Sequence, residues 1–508
     1  MPVFSHISKN SVFRSLVAIS VSNTLLQLLG FAYRIMLGRM TGAEGLGVYQ
    51  LIMPLYSVLL SLTLTGLTVA VSKLSAICSK RRDGRGAVLC ALRARRIFFF
   101  QFFIVALCVV CFSGFISRSV LGDIRTRRSL IPLLVCLFLT GIENITKNFF
   151  YGVGKVVPQI VSELSEQLIR AFAVLSLLFF FVPTEPSASS FLIVCGMVIS
   201  EVFSVIILSF FFRREKSVGS TTSPKPPKTA KIFSVALPIS LAATANNLLS
   251  SLNTVLIPAS LRAGGMTTRA ATEAFGVMFG MTLPLLSFPI AFISSLTSVM
   301  VPRISETLAE ENLSDMRRKA GKTIHATSLI AMPAMALLCQ LGTPLSALLF
   351  KHPDAGAFIA PLALATLFSY YETTLGSLLN GIGAERQAAV IIALVGVLQI
   401  LFTLGVSRFG LSAFVAGSVV SSFVGFVLKL LCLMKRTSLS LRFSNWFLRP
   451  LIASAICFFI SGIIMRASAS LLLSATAGLF SYYLALSALG TNFFRYMATL
   501  IPKDRRSS

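Results

Sequence analysis

The chain has 508 residues, of which 55% are hydrophobic and 12% charged, and its mean hydropathy is +0.84. Soluble domains carry about twice that fraction of charged residues, so the composition excludes a soluble protein. The net charge of +27 comes from basic residues scattered over many loops. This scatter argues against a nucleic-acid surface and indicates anionic membrane lipids as partners.

Apolar runs of about 20 residues recur along the chain, and each could cross about 30 Å of hydrocarbon. A backbone in lipid must satisfy its own hydrogen bonds, and the period-2 alternation of barrel strands is missing, so these runs should be helices. The sequence predicts an all-α polytopic membrane protein of about fourteen spans. In chain order, spans 1 to 14 are 12–37, 47–77, 97–117, 129–150, 159–182, 190–212, 232–258, 273–300, 323–343, 356–380, 388–406, 410–434, 449–467 and 470–490.

The distribution of basic residues predicts the orientation. With the N-terminus inside, most Lys and Arg residues lie on the cytoplasmic side, chiefly in loops 78–96, 213–231, 301–322 and 435–449. Loop 118–128 is an exception, because it places four arginines outside. We therefore expect a multi-pass protein of the cytoplasmic membrane with both termini in the cytoplasm.

The two halves of the chain align with each other without gaps. At a shift of 230 positions the aligned residues include Asn23 with Asn253, Pro54 with Pro284, Ser75 with Ser305 and Lys73 with Arg303. At a shift of 229 they include Glu143 with Glu372 and Gly152-Val-Gly154 with Gly381-Ile-Gly383. An internal repeat on this scale is typical of transporters. The alternative is chance similarity between apolar helices.

The repeat predicts the domain organisation. The predicted parts are an N-terminal six-helix lobe (1–212), a cytoplasmic linker (213–231), a C-terminal six-helix lobe (232–434), and two additional helices with a basic tail (435–508). Because six is an even number, both lobes enter the bilayer in the same direction. The pseudo-twofold axis that relates them should then lie along the membrane normal.

Span 1 carries a polar stripe on one helical face. Its members, separated by 3, 4, 3 and 4 residues, are Ser20, Asn23, Gln27, Gly30 and Arg34. A polar face in a membrane helix points into protein or water, and a buried cation there costs about 2.5–3.5 kcal/mol. The stripe therefore predicts a water-filled cavity; hydrogen bonding between helices is the alternative. The cavity candidates that could bind substrate are Asn23, Gln27, Arg34, Lys73, Asn246, Asn253, Arg262 and Arg303.

Four charged residues inside spans have other predicted roles. Glu143 and Glu372 each precede a Gly-x-Gly sequence that should end the helix at the inner surface. Either acid could take up a coupling proton or sodium ion, or act as counter-ion to a cavity cation. Glu166 and Arg170 lie four residues apart and are predicted to form a structural ion pair along span 5.

Signals of catalysis are weak. The three histidines, His6, His325 and His352, lack metal-ligand spacing. The sequence Gly321-Lys322-Thr323 resembles the end of a P-loop, but Met316 stands where the first glycine is required. We predict no enzyme activity, no catalytic residue, no cofactor and no metal. Movement would then be driven by an ion gradient, by the membrane potential or by the substrate's own gradient.

Several motifs carry a family resemblance. They are Gly30-Phe31-Ala32-Tyr33-Arg34-Ile35, Arg39-x-x-Gly42-x-x-Gly45-x-Gly47-x-Tyr49, Val71-Ser72-Lys73-Leu74, Glu166-Gln167-x-x-Arg170, Leu283-Pro284-Leu285, Val301-Pro302-x-Ile304-Ser305-Glu306 and Thr373-Thr374-x-Gly376 with Asn380-Gly381-Ile382-Gly383. Over roughly 15–435 the chain resembles the stage V sporulation protein B family of polysaccharide flippases. That family belongs to a superfamily with MurJ-type lipid II flippases and multidrug extruders. Gln27 stands where MurJ-like members usually carry an arginine.

The resemblance implies two six-helix lobes around a central cavity and alternating access. It further implies, in a bacterial cytoplasmic membrane, a flippase for undecaprenyl-pyrophosphate-linked oligosaccharides or peptidoglycan precursors, with cell-wall synthesis proteins as further partners. A cation-coupled multidrug extruder is the alternative, although span 1 lacks the carboxylates that an organic-cation binder should carry. A membrane scaffold without transport activity is a third reading.

Overall fold

The computed structural model describes residues 9–81, 83–217, 227–440, 442–493 and 496, with the backbone alone for 9–21, 216, 217 and 309. Over these residues the chain is almost entirely helical and contains no strand, which confirms the all-α prediction. Residues 218–226 of the predicted linker lie outside the described residues.

The helices follow the predicted spans. In the N-terminal half they are Lys9–Leu60, Gly66–Lys80, Gly84–Cys111, Ser113–Phe115, Arg127–Gly152, Val157–Phe181 and Pro186–Ser217, with π-helical Ser61–Thr65 and Ile116–Val120 and 3₁₀-helical Ile124–Thr126. In the C-terminal half they are Thr229–Ala263, Thr268–Phe275, Leu283–Ser287, Ile290–Ala309, Leu313–Phe350, Asp354–Ala357, Ile359–Gly381, Glu385–Leu404, Val406–Phe409, Leu411–Thr437, Arg449–Ser468 and Leu471–Ala488, with π-helical Gly276–Thr282 and Ser444–Leu448.

By length and hydropathy, twelve segments of the described residues could cross a membrane. The first of them, 22–80, has 59 residues and is too long for a single crossing, at about 90 Å of helix. It contains spans 1 and 2, which are separated by a kink at Gly42 with φ +68°. Glycine adopts this conformation without steric cost. Span 10 is not among these twelve segments, but it lies on the helix Ile359–Gly381. Every predicted span therefore lies on a helix.

Contacts divide the chain into two compact units. One comprises 1–27, 281–405 and 409–508, and the other comprises 28–280 and 406–408. The predicted lobes 1–212 and 232–434, and the axis between them, remain predictions.

Within these units, helix contacts recur at the spacing of the repeat. Span 2 packs on spans 3 and 4, and span 6 packs on spans 4 and 5. Span 8 packs on spans 9 and 10 in the same way, and span 12 packs on spans 10 and 11. The two additional helices, spans 13 and 14, pack on each other and on span 9.

One glycine contact shows the repeat at the level of side chains. Gly152, at the end of the helix Arg127–Gly152, lies against Ser75 of span 2, where an added Cβ would also collide with backbone. Gly381, at the end of the helix Ile359–Gly381, lies against Ser305 of the helix Ile290–Ala309, whose hydroxyl donates to the Gly381 carbonyl at 2.7 Å. Small residues at these crossings allow the helices to approach closely.

The predicted helix ends at the Gly-x-Gly sequences are present. The helices of spans 4 and 10 end at Gly152 and Gly381. Two residues later, Gly154 and Gly383 have φ values of +79° and +75°. This left-handed conformation favours glycine, which explains why both sequences carry glycine there.

Candidate functional site

Five ionisable side chains meet where spans 4, 5 and 6 pack together, within the unit 28–280. These residues, here named the buried charge cluster, are Glu143, Lys147, Glu166, Arg170 and Glu201. Lys147 Nζ lies 2.6 Å from Glu143 Oε1 and 3.1 Å from Glu166 Oε2. The guanidinium of Arg170 pairs with Glu166 and lies 3.3 Å from Glu201 Oε1. Two cations thus connect three carboxylates from three helices.

Helical spacing and small residues build the cluster. Glu143 and Lys147 lie four residues apart on span 4, which places both on one helical face. Serines line the crossing, where their small side chains let the helices approach. The Ser204 hydroxyl donates to Glu143 and lies 2.5 Å from the Ser162 hydroxyl. Hydrogen bonds from hydroxyl groups reduce the cost of burying the carboxylate.

The cluster holds one more acid than base. Glu143 and Glu201 are almost completely buried, with 1% and 3% exposure. Oε2 of Glu201 accepts no hydrogen bond from any donor in the described part of the chain. Carboxylate oxygens of Glu143, Glu166 and Glu201 lie within 4.8 Å of one another. The arrangement can hold one further positive charge, either a proton shared between two carboxylates or a small cation.

The C-terminal half carries a simpler version, within the other unit. Lys429 Nζ of span 12 lies 2.9 Å from Glu372 Oε2 of span 10. Gly425, one turn before Lys429, provides the space for this carboxylate. Spans 4 and 10 therefore each direct their repeat-matched acid toward the neighbouring span 6 or 12. The cation lies on span 4 in one half and on span 12 in the other.

A second polar network connects the segments that follow spans 1, 3 and 7, within the unit 28–280. These residues, here named the loop network, are Glu44, Asp123, Arg125, Arg269 and Thr272. Arg125 lies 2.5 Å from Glu44 and 2.7 Å from Asp123. Arg269 Nε lies 3.3 Å from Glu44, and the Thr272 hydroxyl donates to Asp123 at 3.3 Å. The helix just after the Gly42 kink, the segment after span 3 and the helix Thr268–Phe275 are thereby held together.

Arg262 lies beside this network. Its Nη2 occupies the space next to Gly122, whose φ of +71° and missing side chain permit the approach. Nη1 of Arg262 is buried and makes no hydrogen bond to the described residues.

The other predicted cavity residues differ in exposure. Arg34, Lys73 and Asn246 are exposed. Asn23, Gln27, Asn253 and Arg303 are half-buried. Because a charged side chain inside a span avoids lipid, exposed positions for Arg34 and Lys73 are compatible with a water-filled surface.

The polar stripe of span 1 contacts the Glu166-Gln167-x-x-Arg170 motif. A Cβ added at Gly30 would lie 3.2 Å from Gln167 Nε2. The stripe therefore continues from span 1 toward the buried charge cluster.

Three charged residues of the buried charge cluster and of its C-terminal counterpart are absent from the sequence predictions: Lys147, Glu201 and Lys429. Each lies within an apolar span, which is by itself a signal of a functional or paired residue. Lys147 also follows Glu143 by four residues, the same spacing that predicts the Glu166–Arg170 pair. Glu201 and Lys429 have no such local partner, because their partners lie on other helices.

Comparisons with known proteins agree with this architecture. A family described as polysaccharide biosynthesis protein matches residues 12–308. The chain is 24% identical to stage V sporulation protein B of Bacillus subtilis (strain 168), covering 78% of this chain and 79% of that protein. It is 20% identical to lipid II flippase MurJ of the same organism, covering 83% of this chain and 81% of that protein.

Solved structures share the fold. The chain matches lipid II flippase MurJ in an inward closed conformation with a TM-score of 0.69 and 13% identity, covering 95% of this chain and 100% of that one. It matches an inward-facing multidrug resistance transporter of the MATE family with a TM-score of 0.64 and 16% identity, covering 84% and 100%. These comparisons confirm the predicted resemblance and a membrane-transporter fold. They also agree with the prediction that the chain is not an enzyme.

Proposed function

We propose that this chain, which belongs to the polysaccharide biosynthesis protein family, moves a lipid-linked oligosaccharide or peptidoglycan precursor across a bacterial cytoplasmic membrane. The lipid would be undecaprenyl pyrophosphate, and movement would occur by alternating access. One observation carries the proposal: Arg34 is exposed on a polar stripe of span 1 that contains a cation and no carboxylate.

The chemical basis is charge complementarity. A pyrophosphate is anionic, and arginine binds phosphate oxygens through charge-assisted hydrogen bonds. Arg34 and Lys73 are exposed, so both are available to a ligand. Arg262, in the same unit as Arg34, is half-buried and would assist, whereas the role of Arg303 stays a prediction from the sequence. The lipid tail need not enter the cavity, because it can remain in the membrane while the pyrophosphate and sugars pass.

The loop network would act as a gate in this scheme. It lies at the predicted external ends of the spans and holds the segments after spans 1, 3 and 7 together. Release of a large headgroup on that side requires Arg125 and Arg269 to separate from Glu44. Partly exposed ion pairs are suited to such a gate, since each contributes little net stability.

The buried charge cluster would couple this movement to an ion gradient. Its three carboxylates and two cations leave room for one proton or small cation, and Glu201 Oε2 lacks a donor among the described residues. Loss of that proton or cation would increase repulsion between the carboxylates and change how spans 4, 5 and 6 pack. Glu372 has a full counter-ion in Lys429, so we assign coupling to Glu143 and its neighbours.

The fold also supports a second function, a cation-coupled multidrug extruder, because the MATE-family transporter aligns over 84% of the chain. A binder of organic cations needs exposed carboxylates in its cavity. The acids Glu143 and Glu201 are buried and Glu372 is paired. These contacts favour an anionic substrate over an organic cation.

Complementation of a flippase-deficient bacterial strain tests the assignment of Arg34. Arg34→Ala should abolish complementation with unchanged abundance in the membrane, and Arg34→Lys should retain partial activity because it keeps the charge. Arg118→Ala is the matched control, since Arg118 is also exposed but lies in a predicted external loop. Full activity of Arg34→Ala would remove Arg34 from the substrate site.

A further inference from the structure

A basic pocket of about 920 Å³ lies within the unit that contains spans 9, 13 and 14. Three segments bound it: the first turns of the helix Leu313–Phe350, residues 438–440 and 442–449, and residues 490–492 with 496. In the predicted topology each segment lies at the inner end of its span, so the pocket opens to the cytoplasm. A soluble ligand can therefore reach it.

The lining of the pocket is strongly basic. One lining arginine, Arg318, is compensated by Asp315 at 2.5 Å. Four further cations line the pocket, namely Arg317, Lys322, Arg442 and Arg449. The lining contains no acidic residue within the described parts of the chain. A phosphate monoester carries a charge of about −1.5 to −2 near pH 7, so these cations match a diphosphate better than a single phosphate.

Two buried polar atoms of the lining have no hydrogen-bond partner among the described residues. The first is Nε2 of His325, a side chain that is 6% exposed and packs edge-on against Tyr496, with ring centroids 4.5 Å apart. The second is Nε of Arg317. A buried polar group without a partner costs free energy, and phosphate oxygens accept from imidazole and guanidinium N–H groups alike. Both atoms therefore indicate an anionic ligand with several acceptor oxygens.

The remaining lining suits a ring with polar edges. It includes the aromatic side chains of Trp446 and Tyr496, the amide of Asn445 and the hydroxyl of Thr491. Aromatic side chains stack on nucleobases, and amide and hydroxyl groups bind base edges and sugar hydroxyls. The volume of about 920 Å³ lies within the range of roughly 300–1,000 Å³ that is usual for small-molecule pockets. A ligand larger than two phosphates therefore fits.

The Gly321-Lys322-Thr323 sequence contributes one wall of this pocket. It lies inside the helix Leu313–Phe350, where the Thr323 hydroxyl donates to the Lys319 carbonyl at 2.9 Å. The segment is therefore not a phosphate-binding loop. A Cβ added at Gly321 would lie 2.7 Å from Cζ2 of Trp446, so the missing side chain lets the indole approach the helix.

We propose that the basic pocket binds a soluble nucleoside diphosphate from the cytoplasm. The guanidinium groups of Arg317 and Arg449 and the imidazole of His325 bind the diphosphate through charge-assisted hydrogen bonds. The nucleoside lies against Trp446 and Tyr496, where its base is removed from water.

The bound nucleotide would connect the start of the helix Leu313–Phe350 to the turn before span 13 and the residues after span 14. It would thereby stabilise the packing of the two additional helices on span 9. The site is separate from Arg34 and Lys73, and the proposal does not depend on the proposed transport.

Isothermal titration calorimetry tests the proposal. The full chain, purified in a neutral detergent, is titrated with ADP, UDP, AMP or inorganic pyrophosphate. ADP, UDP or both should bind saturably and about 10-fold more tightly than AMP and pyrophosphate, because only a nucleoside diphosphate uses both the cations and the aromatic wall.

Four results would overturn the proposal. Equal affinity for pyrophosphate would remove the role of the nucleoside, and equal affinity for AMP would remove the requirement for two phosphates. Release of the bound nucleotide by cardiolipin added to the micelles would assign the pocket to a lipid headgroup instead. Failure of both ADP and UDP to bind would leave the pocket without a nucleotide.

Variants locate the site. Arg317→Gln/Arg449→Gln should weaken nucleotide affinity about 100-fold, because each arginine supplies a hydrogen bond to a charged group. Arg81→Gln/Arg213→Gln, which removes two exposed cations elsewhere on the predicted cytoplasmic side, should leave the affinity unchanged.

The histidine gives an independent test. His325→Phe should weaken nucleotide affinity about 10-fold, and His325→Gln should retain most of it because the amide keeps an N–H donor. The melting temperature without ligand shows which variants are folded. Unchanged nucleotide affinity in whichever of Arg317→Gln/Arg449→Gln and His325→Phe is folded would overturn the proposal.

Discussion

Replacing Lys147 with methionine should destabilise the protein strongly, because the change leaves buried carboxylates without their ammonium group. The Lys147 side chain is 9% exposed and that of Glu143 is 1% exposed, at an N–O distance of 2.6 Å. At an effective dielectric constant of 20, two unit charges at this distance attract each other by roughly 6 kcal/mol. Part of this attraction offsets the cost of removing the charges from water. Loss of one partner should therefore cost about 3–5 kcal/mol of unfolding free energy.

Chemical denaturation in detergent micelles measures this difference. Lys155→Met is the matched control, because Lys155 pairs with Glu215 at the surface and its side chain is 52% exposed. An exposed ion pair contributes about 0–1 kcal/mol. The double variant Lys147→Met/Glu143→Gln should recover part of the lost stability, since it removes an uncompensated charge as well.

The comparison of the two lysines decides the outcome. If Lys147→Met costs no more than Lys155→Met, the reasoning about a buried, closely coupled cluster is wrong. That reasoning is also wrong if the double variant is much less stable than Lys147→Met alone. In that case the contribution of Lys147 would come from packing of its side chain rather than from its charge.

Three further predictions follow from the fold. Gly154→Ala and Gly383→Ala should each cost about 1 kcal/mol of unfolding free energy. Both φ values are positive, and no atom lies within 4 Å of an added Cβ, so backbone strain is the cost at both positions. Clearly unequal costs in chemical denaturation would contradict the repeat at these turns. Gly276→Val should lower the unfolding free energy by about 1–3 kcal/mol, because the valine side chain would collide with the Ala43 carbonyl. An unchanged melting temperature would contradict the close approach of Gly276 to Ala43. A cysteine at Ser220, which lies outside the described residues, should resist an impermeant maleimide added to intact cells in a Cys-free background; external labelling would invert the predicted topology.

Hydropathy and glycine patterns predict the architecture well. Each predicted span lies on a helix, because a membrane crossing requires an apolar run that the sequence shows directly. The helix ends at Gly152 and Gly381 are also predicted from the sequence, because glycine adopts the positive φ that ends a helix without steric cost. The kink at Gly42 replaces the loop expected between spans 1 and 2, because a glycine with positive φ interrupts an otherwise continuous helix.

The charge pairs are predicted only where both partners lie on one helix. Glu166 and Arg170 are four residues apart, so periodicity alone brings them together. Lys429 and Glu372 are 57 residues apart and meet only after spans 10 and 12 have packed. Glu201 reaches the cluster in the same way. The repeat does not predict these pairs, because the cation lies on span 4 in one half and on span 12 in the other.

Reconstituted transport tests the central claim most directly. Purified protein in liposomes is given undecaprenyl-pyrophosphate-linked sugars in one arm and organic-cation drugs in the other, with an imposed proton gradient in both. We predict saturable movement of the lipid-linked sugar that is lost in Arg34→Ala and preserved in Arg118→Ala. Saturable movement of the drugs alone, unaffected by Arg34→Ala, would contradict the account and favour the extruder.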